Sequence, residues 1–340
     1  MFEKQIKIPE PEEILASMPL PANLKKIKAE RDKLVSDVIS GKSNKLIIIV
    51  GPCSAHEASP VLDYVERLGR LNEKVKDKLV LVPRIYTNKP RTRGVGYKGM
   101  FSQPDPAKSE DILKGIYAIR ELNIKAIEAS GLSAADEMLY PANIHYVDDL
   151  LSYIAVGARS SENQLHRLVA SGIDVPVGVK NPMSGSVMVM LNSIYAAQSG
   201  QVFKLNGWQV KTDGNPLAHA ILRGAVDGYG NDIPNFHYET VMQVVEGYSK
   251  SGLKNPAIII DANHSNSSKK YKQQIRICEE VMQNRLYDGD FKRNVKGFMI
   301  ESFIEEGNQD EDKVYGKSIT DPCLGWCDTE RLICDIAEKV

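Results

Sequence analysis

The feature that most restricts the fold of this chain is an alternation. Short runs of β-branched and aliphatic residues recur along it, each separated from the next by a stretch with apolar residues at helical spacing. Strands that alternate with amphipathic helices pair in parallel, because each helix carries the chain back to the same end of the sheet. The runs are LIIIV (Leu46 to Val50), LVLVPRIY (Leu79 to Tyr86), LSAADEM (Leu132 to Met138), YIAVGA (Tyr153 to Ala158), VPVGVK (Val175 to Lys180), HAILRG (His219 to Gly224), AIIID (Ala257 to Asp261) and GFMIES (Gly297 to Ser302). Between them lie helical stripes such as Val61, Val65, Leu68 and Leu71, or Ile112, Ile116, Ile119 and Leu122, the latter stopped by Gly131. A third stripe runs through Val187, Met190, Leu191 and Ile194. Eight such strands predict an α/β chain folded as a (β/α)8 barrel. The barrel is expected over residues 45–340, as the catalytic domain. Residues 1–44, Pro-rich and charged, are expected to form an N-terminal extension that serves as a subunit-contact or regulatory arm.

Polar residues sharpen this reading. Cys53, Arg84, Glu137, Arg159, Lys180, Arg223, His264 and Glu301 stand at or just beyond the ends of the proposed strands. In a barrel those ends face one mouth, where ligands bind. A single basic residue at a strand end is ordinarily a surface ion pair, but eight charged or metal-ligating groups in register imply a site. Arg84, Lys89, Arg91, Lys98, Arg159, Lys180 and Arg223 converging there would repel one another unless anions or carboxylates balanced them. Arg matches carboxylate and phosphate with a planar fork, whereas Lys supplies a compact charge, so the mixed set predicts more than one anionic group on the ligands.

Cys53, His264, Glu301 and Asp321 form a second constellation. A thiol, an imidazole and two carboxylates suit Mn²⁺, Fe²⁺, Co²⁺ or Zn²⁺ better than Mg²⁺, which prefers oxygen. A divalent transition metal is therefore expected. Cys323 and Cys327 lack the second pair or nearby His of a zinc finger and are expected to be structural. The sequence GVGYKG (94–99) has the spacing G-x-G-x-x-G, but no strand immediately precedes it and no helix follows, so it is read as a flexible phosphate-binding loop and not as a dinucleotide turn.

Charge and cysteine usage limit the alternatives. Lys plus Arg total 43 and Asp plus Glu 44 in 340 residues, so the net charge of −1 offers no long-range attraction for nucleic acid or an acidic membrane. Five cysteines argue against a disulfide framework, and with no long apolar run or signal-like beginning the expected location is cytoplasmic.

GPCSA (51–55), PRIYTNKPRT (83–92), GYKG (96–99), GARSSENQLHR (157–167), PVGVKNP (176–182), ILRG (221–224), DANHSNSSKK (261–270), IESF (300–303) and GKSITDPCLGW (316–326) together resemble the type I 3-deoxy-D-arabino-heptulosonate 7-phosphate synthases. The likeness runs from about residue 45 to the C-terminus with its motifs in order, and the arm resembles the extension of the amino-acid-inhibited members. The resemblance implies condensation of phosphoenolpyruvate with erythrose 4-phosphate, the first step of the shikimate pathway, and a dimeric or tetrameric assembly. It places Cys53, His264, Glu301 and Asp321 on the metal. Arg84, Lys89, Arg159, Lys180 and Arg223 would hold phosphoenolpyruvate. Lys89, Pro90, Arg91, Thr92 and Lys98 would receive erythrose 4-phosphate, and Lys89, Glu137 and His264 would move protons. The chain departs from the family pattern in the longer loop at Arg93 and Gly94, in NPMSGS after Lys180, and in a shorter segment between Gln201 and Asn215, so an aromatic amino acid effector is implied without its identity. The sister synthase that uses arabinose 5-phosphate, a non-catalytic amino acid sensor and a class II aldolase are the competing readings. KPRT favours the four-carbon sugar, no expected site residue is lost as in a sensor, and the six His form no multi-His zinc cluster.

Overall fold

Every residue of Leu46–Gly51 is buried, as are those of Leu79–Pro83 and Leu151–Val156. Strands buried on both faces belong in a parallel sheet covered by helices, and the computed structural model, which describes residues 1–91, 94–311 and 313–340, has that architecture. The barrel strands are β1 (Leu46–Gly51), β2 (Leu79–Pro83), β3 (Ala134–Glu137), β4 (Leu151–Val156), β5 (Val177–Lys180), β6 (His219–Leu222), β7 (Ile258–Asp261) and β8 (Val295–Glu301). They pair in the order β2-β1-β8-β7-β6-β5-β4-β3. A parallel bridge between Arg84 and Ala135 joins the two ends, with the Ile85 amide donating to the Ala135 carbonyl at 3.0 Å. Arg84 therefore stands at the seam. Register sets the level of the site: Gly51 pairs with Glu301 and Val50 with Pro83, so the ends of β1, β2 and β8 are flush.

The helices are α1 (Pro11–Ser17), α2 (Ala22–Ile39), α3 (Ala58–Val75), α4 (Ile112–Ser130), α5 (Gln164–Ala170), α6 (Val187–Gln198), α7 (Tyr238–Ser251), α8 (His264–Ser267), α9 (Gln273–Tyr287), α10 (Gly289–Asn294) and α11 (Trp326–Glu338). α3 buries its stripe whole, α4 buries Ile116, Ile119 and Leu122 but leaves Ile112 exposed at its first turn, and α6 buries Met190, Leu191 and Ile194 with Val187 half-buried. Gly131 ends α4 in the left-handed conformation, φ 66°, which glycine adopts without steric cost. Two antiparallel hairpins, Val202–Leu205 with Trp208–Lys211 and Ala225–Val226 with Asp232–Ile233, were not legible as separate elements. No helix among the described residues is long and apolar enough to cross a membrane.

Two layers of core follow from strand alternation. Outward-facing Leu46, Ile48 and Val50 pack beneath the helices. Inward-facing Ile47, Ile49, Val80 and Val82 fill the barrel, and the same cluster includes Val35, Val38 and Ile39 at the end of α2. The arm is thus part of the barrel's packing: its last helical turns close the floor, Arg31 Nε donates to the Gly131 carbonyl at 2.7 Å, and Ser152 Oγ donates to Asp32 at 2.6 Å. Packing runs without a break across residue 44.

His219 lies inside this barrel, fully buried. Its Nδ1 lies 2.8 Å from the Leu217 carbonyl, which can only accept, so Nε2 accepts from the Tyr153 hydroxyl at 2.8 Å. Burial pushes its pKa down to about 4, below the ordinary value of about 6.5. The unfolded chain therefore binds the proton more readily between those values, and stability is lost as pH falls through that window, by about 3 kcal/mol from this group. The melting temperature should fall from pH 6.5 to pH 4, and less steeply in His219→Asn; equal slopes for the two proteins would remove His219 as the cause.

Candidate active site

Each strand delivers one expected side chain to the same rim. Cys53 follows β1, Arg84 follows β2, Glu137 ends β3, Arg159 follows β4, Lys180 ends β5, Arg223 follows β6, His264 opens α8 after β7, and Glu301 ends β8. Asp321 arrives from the loop before α11. All but Glu301 line one cavity of about 450 Å³, and Glu301 is buried beside it. Gly51 makes this approach possible, because a Cβ there would collide with the Arg84 backbone.

One side of the cavity is a knot of acids and bases. Ligand atoms of Cys53, Glu301 and Asp321 lie within 4.8 Å of one another. Cys53 Sγ is 3.4 Å from Asp321 Oδ2, and His264 Nε2 faces Glu301 Oε1 at 3.7 Å. On its other side, His264 Nδ1 is 2.8 Å from Asp261 Oδ2. His264 has a left-handed backbone, φ 52°, in a residue with a Cβ, a strained conformation that holds the ring in place. Cys53, Glu301 and Asp321 are brought close enough to share one ion, whereas His264 stands outside that group beside Glu301; a soft sulfur and two carboxylates with an imidazole adjacent fit a transition metal.

Lys89 enters this knot. Its ammonium donates to Cys53 Sγ at 2.7 Å and to Asp321 Oδ2 at 3.2 Å. Burial works against its charge, but Cys53 and Asp321 more than offset that and hold its pKa above the usual lysine value. Burial likewise works against the Asp321 charge, and Lys89 and Lys269, the latter at 3.0 Å, overcome it and hold the carboxyl well below its ordinary range. Glu301 is also held low against burial, chiefly by Arg84, whose Nη2 donates to Oε1 at 3.0 Å, while Asn263 donates to Oε2 at 2.6 Å. Burial, and then Glu301, push the Cys53 thiol up.

The opposite side is cationic and less compensated. Lys180 is paired with buried Asp261 at 3.0 Å. Arg223, almost fully buried, donates to Ser265 Oγ at 3.1 Å and approaches Met183 Sδ at 3.5 Å, and neither partner is charged. Burial and the neighbouring Arg159 both lower its pKa. Among the described residues neither Arg159 nor Arg223 has an ion-paired carboxylate, so this pair, together with Arg91, is open positive charge in the cavity, which Asp261 and Asp232 offset only from a distance.

Lys89, Pro90 and Arg91 line the cavity, and Arg91 Nε donates to the Tyr97 carbonyl at 2.8 Å. Thr92 lies outside the described residues. Lys98 is not brought to the cavity: it forms an exposed ion pair with Glu110. The glycines of GVGYKG turn the loop back on itself. The Lys89 amide donates to the Lys98 carbonyl at 3.1 Å, and a Cβ on Gly99 would strike the backbone of 87–89. No dinucleotide turn forms there.

Sequence reading missed Asp261, which joins Lys180 to His264, and Lys269, which grips Asp321. Asp261 had a signal, an acid closing the apolar run AIIID; Lys269 stood in a polar stretch that offered none. Asp136 was missed too. It is buried and accepts from the Thr87 amide at 2.9 Å, the Thr87 hydroxyl and the Glu137 amide at 2.7 Å, so it anchors the start of the loop carrying Lys89.

Known proteins are similar to this chain in fold and sequence. A solved structure of phospho-2-dehydro-3-deoxyheptonate aldolase from Francisella tularensis SCHU S4 superposes with a TM-score of 0.92 at 30% identity, covering 100% of this chain and 98% of that one. The Trp-sensitive phospho-2-dehydro-3-deoxyheptonate aldolase of Enterobacter agglomerans is 39% identical over 97% of this chain and 94% of its own length. The Phe-sensitive enzyme of Escherichia coli K12 is 38% identical over 97% and 93%. With the profile of the DAHP synthetase I family matching residues 20–333, the chain belongs to that family.

Proposed function

We propose that the cavity joins phosphoenolpyruvate, erythrose 4-phosphate and water into 3-deoxy-D-arabino-heptulosonate 7-phosphate and inorganic phosphate. The observation that carries the reading is the open Arg159–Arg223 pair facing the Cys53, His264, Glu301 and Asp321 cluster across one cavity. Membership in the family and the printed activity of the relatives support it.

In this reading Arg159 and Arg223 clamp the phosphate of phosphoenolpyruvate, and Arg84, Lys89 and Lys180 answer its carboxylate. Lys89, Pro90 and Arg91, with Thr92, receive the aldose phosphate. Cys53, His264, Glu301 and Asp321 would hold Mn²⁺, Fe²⁺, Co²⁺ or Zn²⁺, which supplies Lewis acidity at the aldehyde oxygen when bound. The methylene carbon of phosphoenolpyruvate forms a bond to the aldehyde carbon, and the aldehyde oxygen takes a proton from the Lys89 ammonium, which Cys53 and Asp321 keep charged and aimed. Water adds at the enol carbon and gives its proton to Glu137. The resulting hemiketal phosphate breaks its carbon–oxygen bond, the bond pair leaving with phosphate and the hydroxyl proton passing to it, to give a ketone and hydrogen phosphate. Asp261 holds both Lys180 and His264, so it sets the spacing between the anion side and the metal side.

Relatives named for their sensitivity to Trp, Phe or Tyr support an aromatic amino acid as effector, and a cytoplasmic homo-oligomer is the assembly and location we assign.

Phosphate release measured with phosphoenolpyruvate plus each aldose should be fast with erythrose 4-phosphate and at least tenfold slower with arabinose 5-phosphate; the reverse order would reassign the substrate. Cys53→Ala should lose more than 100-fold in turnover together with bound metal, and a fully active, metal-free variant contradicts the ligand role. Arg223→Gln should raise the KM for phosphoenolpyruvate by about ten- to a hundredfold, the range expected for a lost charge-assisted hydrogen bond, and an unchanged KM argues against the clamp. Asp261→Asn should weaken metal binding about ten- to a hundredfold, as loss of a carboxylate behind a ligating His commonly does; chelator competition reads this directly, and unaltered affinity would show that Asp261 does not support His264.

A further inference from the structure

The end of the barrel opposite the mouth holds a second cavity, of about 630 Å³, between the end of α2, the start of β1, the Asn255 and Pro256 turn before β7, and the segment from α9 through α10 into β8. Lys45, Arg285, Lys292, Arg293 and Lys296 line it, and no Asp or Glu does. Arg293 is balanced at the surface by Asp290. The other four make no ion pair with a carboxylate among the described residues. Lys45 Nζ donates to the Lys76 carbonyl at 2.6 Å, and Arg285 Nη1 donates to the carbonyls of Lys292, at 2.8 Å, and Val295.

Arg285 is 5% exposed, and its acceptors are neutral, so they orient the guanidinium without cancelling its charge. Burial lowers its pKa to about 10, and Lys296, half-buried, is lowered by burial and by Arg285 itself. Two neighbouring cations that each disfavour the other's charge are the condition an anion relieves. The C-terminal ends of α2, α9 and α10 meet this floor, and each helix end contributes roughly half a negative charge. Against four uncompensated cations that still leaves a surplus of roughly two to three positive charges. Ser43 and Asn44 add side-chain donors to the lining.

We propose that this floor cavity is a second anion site, separate from the mouth, that takes a small phosphoanion carrying two or three negative charges. Nothing in the condensation chemistry requires it. Its ligand would bridge the turn after α2, the start of β1 and the start of β8, the three segments that close the barrel floor, so occupancy stabilises the seat of the N-terminal arm.

The test is equilibrium dialysis of the full chain with radiolabelled pyrophosphate, alongside melting temperatures. The wild-type protein should bind two equivalents per chain, one at the mouth and one at the floor. Arg159→Gln/Arg223→Gln should keep the floor equivalent and its rise in melting temperature with pyrophosphate. Lys292→Gln/Lys296→Gln, one substitution on an exposed and one on a half-buried side chain, should lose the floor equivalent, or bind it at least tenfold more weakly, with the rate of condensation unchanged. Arg285 is left intact because it also ties the α10 backbone. The proposal is overturned if Lys292→Gln/Lys296→Gln binds pyrophosphate as the wild type does, or if Arg159→Gln/Arg223→Gln binds none.

Discussion

The site depends on charge neutralisation inside a barrel mouth. Positive side chains brought to one rim by parallel strands cannot coexist in a low-dielectric pocket unless something answers them. Arg84 has Glu301, Lys180 has Asp261, and Lys89 has Asp321, with the Cys53 sulfur as a further hydrogen-bond acceptor. Each pairing fixes a flexible side chain and leaves Arg159 and Arg223 as the charge that a ligand must satisfy. Selectivity for a phosphorylated substrate is therefore a remainder: Glu301, Asp261 and Asp321 are already committed, and a neutral ligand would leave the buried Arg223 guanidinium and its exposed neighbour Arg159 without an ion-pair partner.

Geometry comes from hydrophobic packing below. Burial of each Val, Leu or Ile side chain in the barrel interior and under the helices contributes about 1.5–3 kcal/mol, and strand register converts that packing into position. Because β1 and β8 are flush at Gly51 and Glu301, the thiol of the β1 loop and the carboxylate ending β8 meet at one height. The arm takes part in this rigidity through Val35, Val38 and Ile39, which seal the floor beneath the inward-facing residues. The mouth is thus held from below by residues outside the repeating strand–helix pattern.

Much of this was legible in the sequence because both signals are local. A buried parallel strand needs a continuous apolar run, and a barrel places functional groups directly after such runs, so Cys53, Arg84, Glu137, Arg159, Lys180, Arg223, His264 and Glu301 were visible from their positions alone. Partners were less visible. Asp261 and Asp136 read as strand residues, and only the fold shows that one bridges Lys180 and His264 while the other anchors Thr87. Lys98 misled, since its place in a basic stretch says nothing about the direction of its side chain, which pairs with Glu110 at the surface. The packing of the arm against the barrel was not legible because its prolines and charges mask the apolar face of α2; that face has meaning only against a barrel floor already formed.

The central claim is that Cys53 and its three partners hold one transition-metal ion beside the cationic pair. Titration with Co²⁺, followed by absorption spectroscopy, tests it most directly, since a thiolate ligand gives a sulfur-to-cobalt charge-transfer band. The band should appear at one equivalent in the wild type, persist in Cys323→Ala, and vanish in Cys53→Ala. An undiminished band without the Cys53 sulfur would contradict the account.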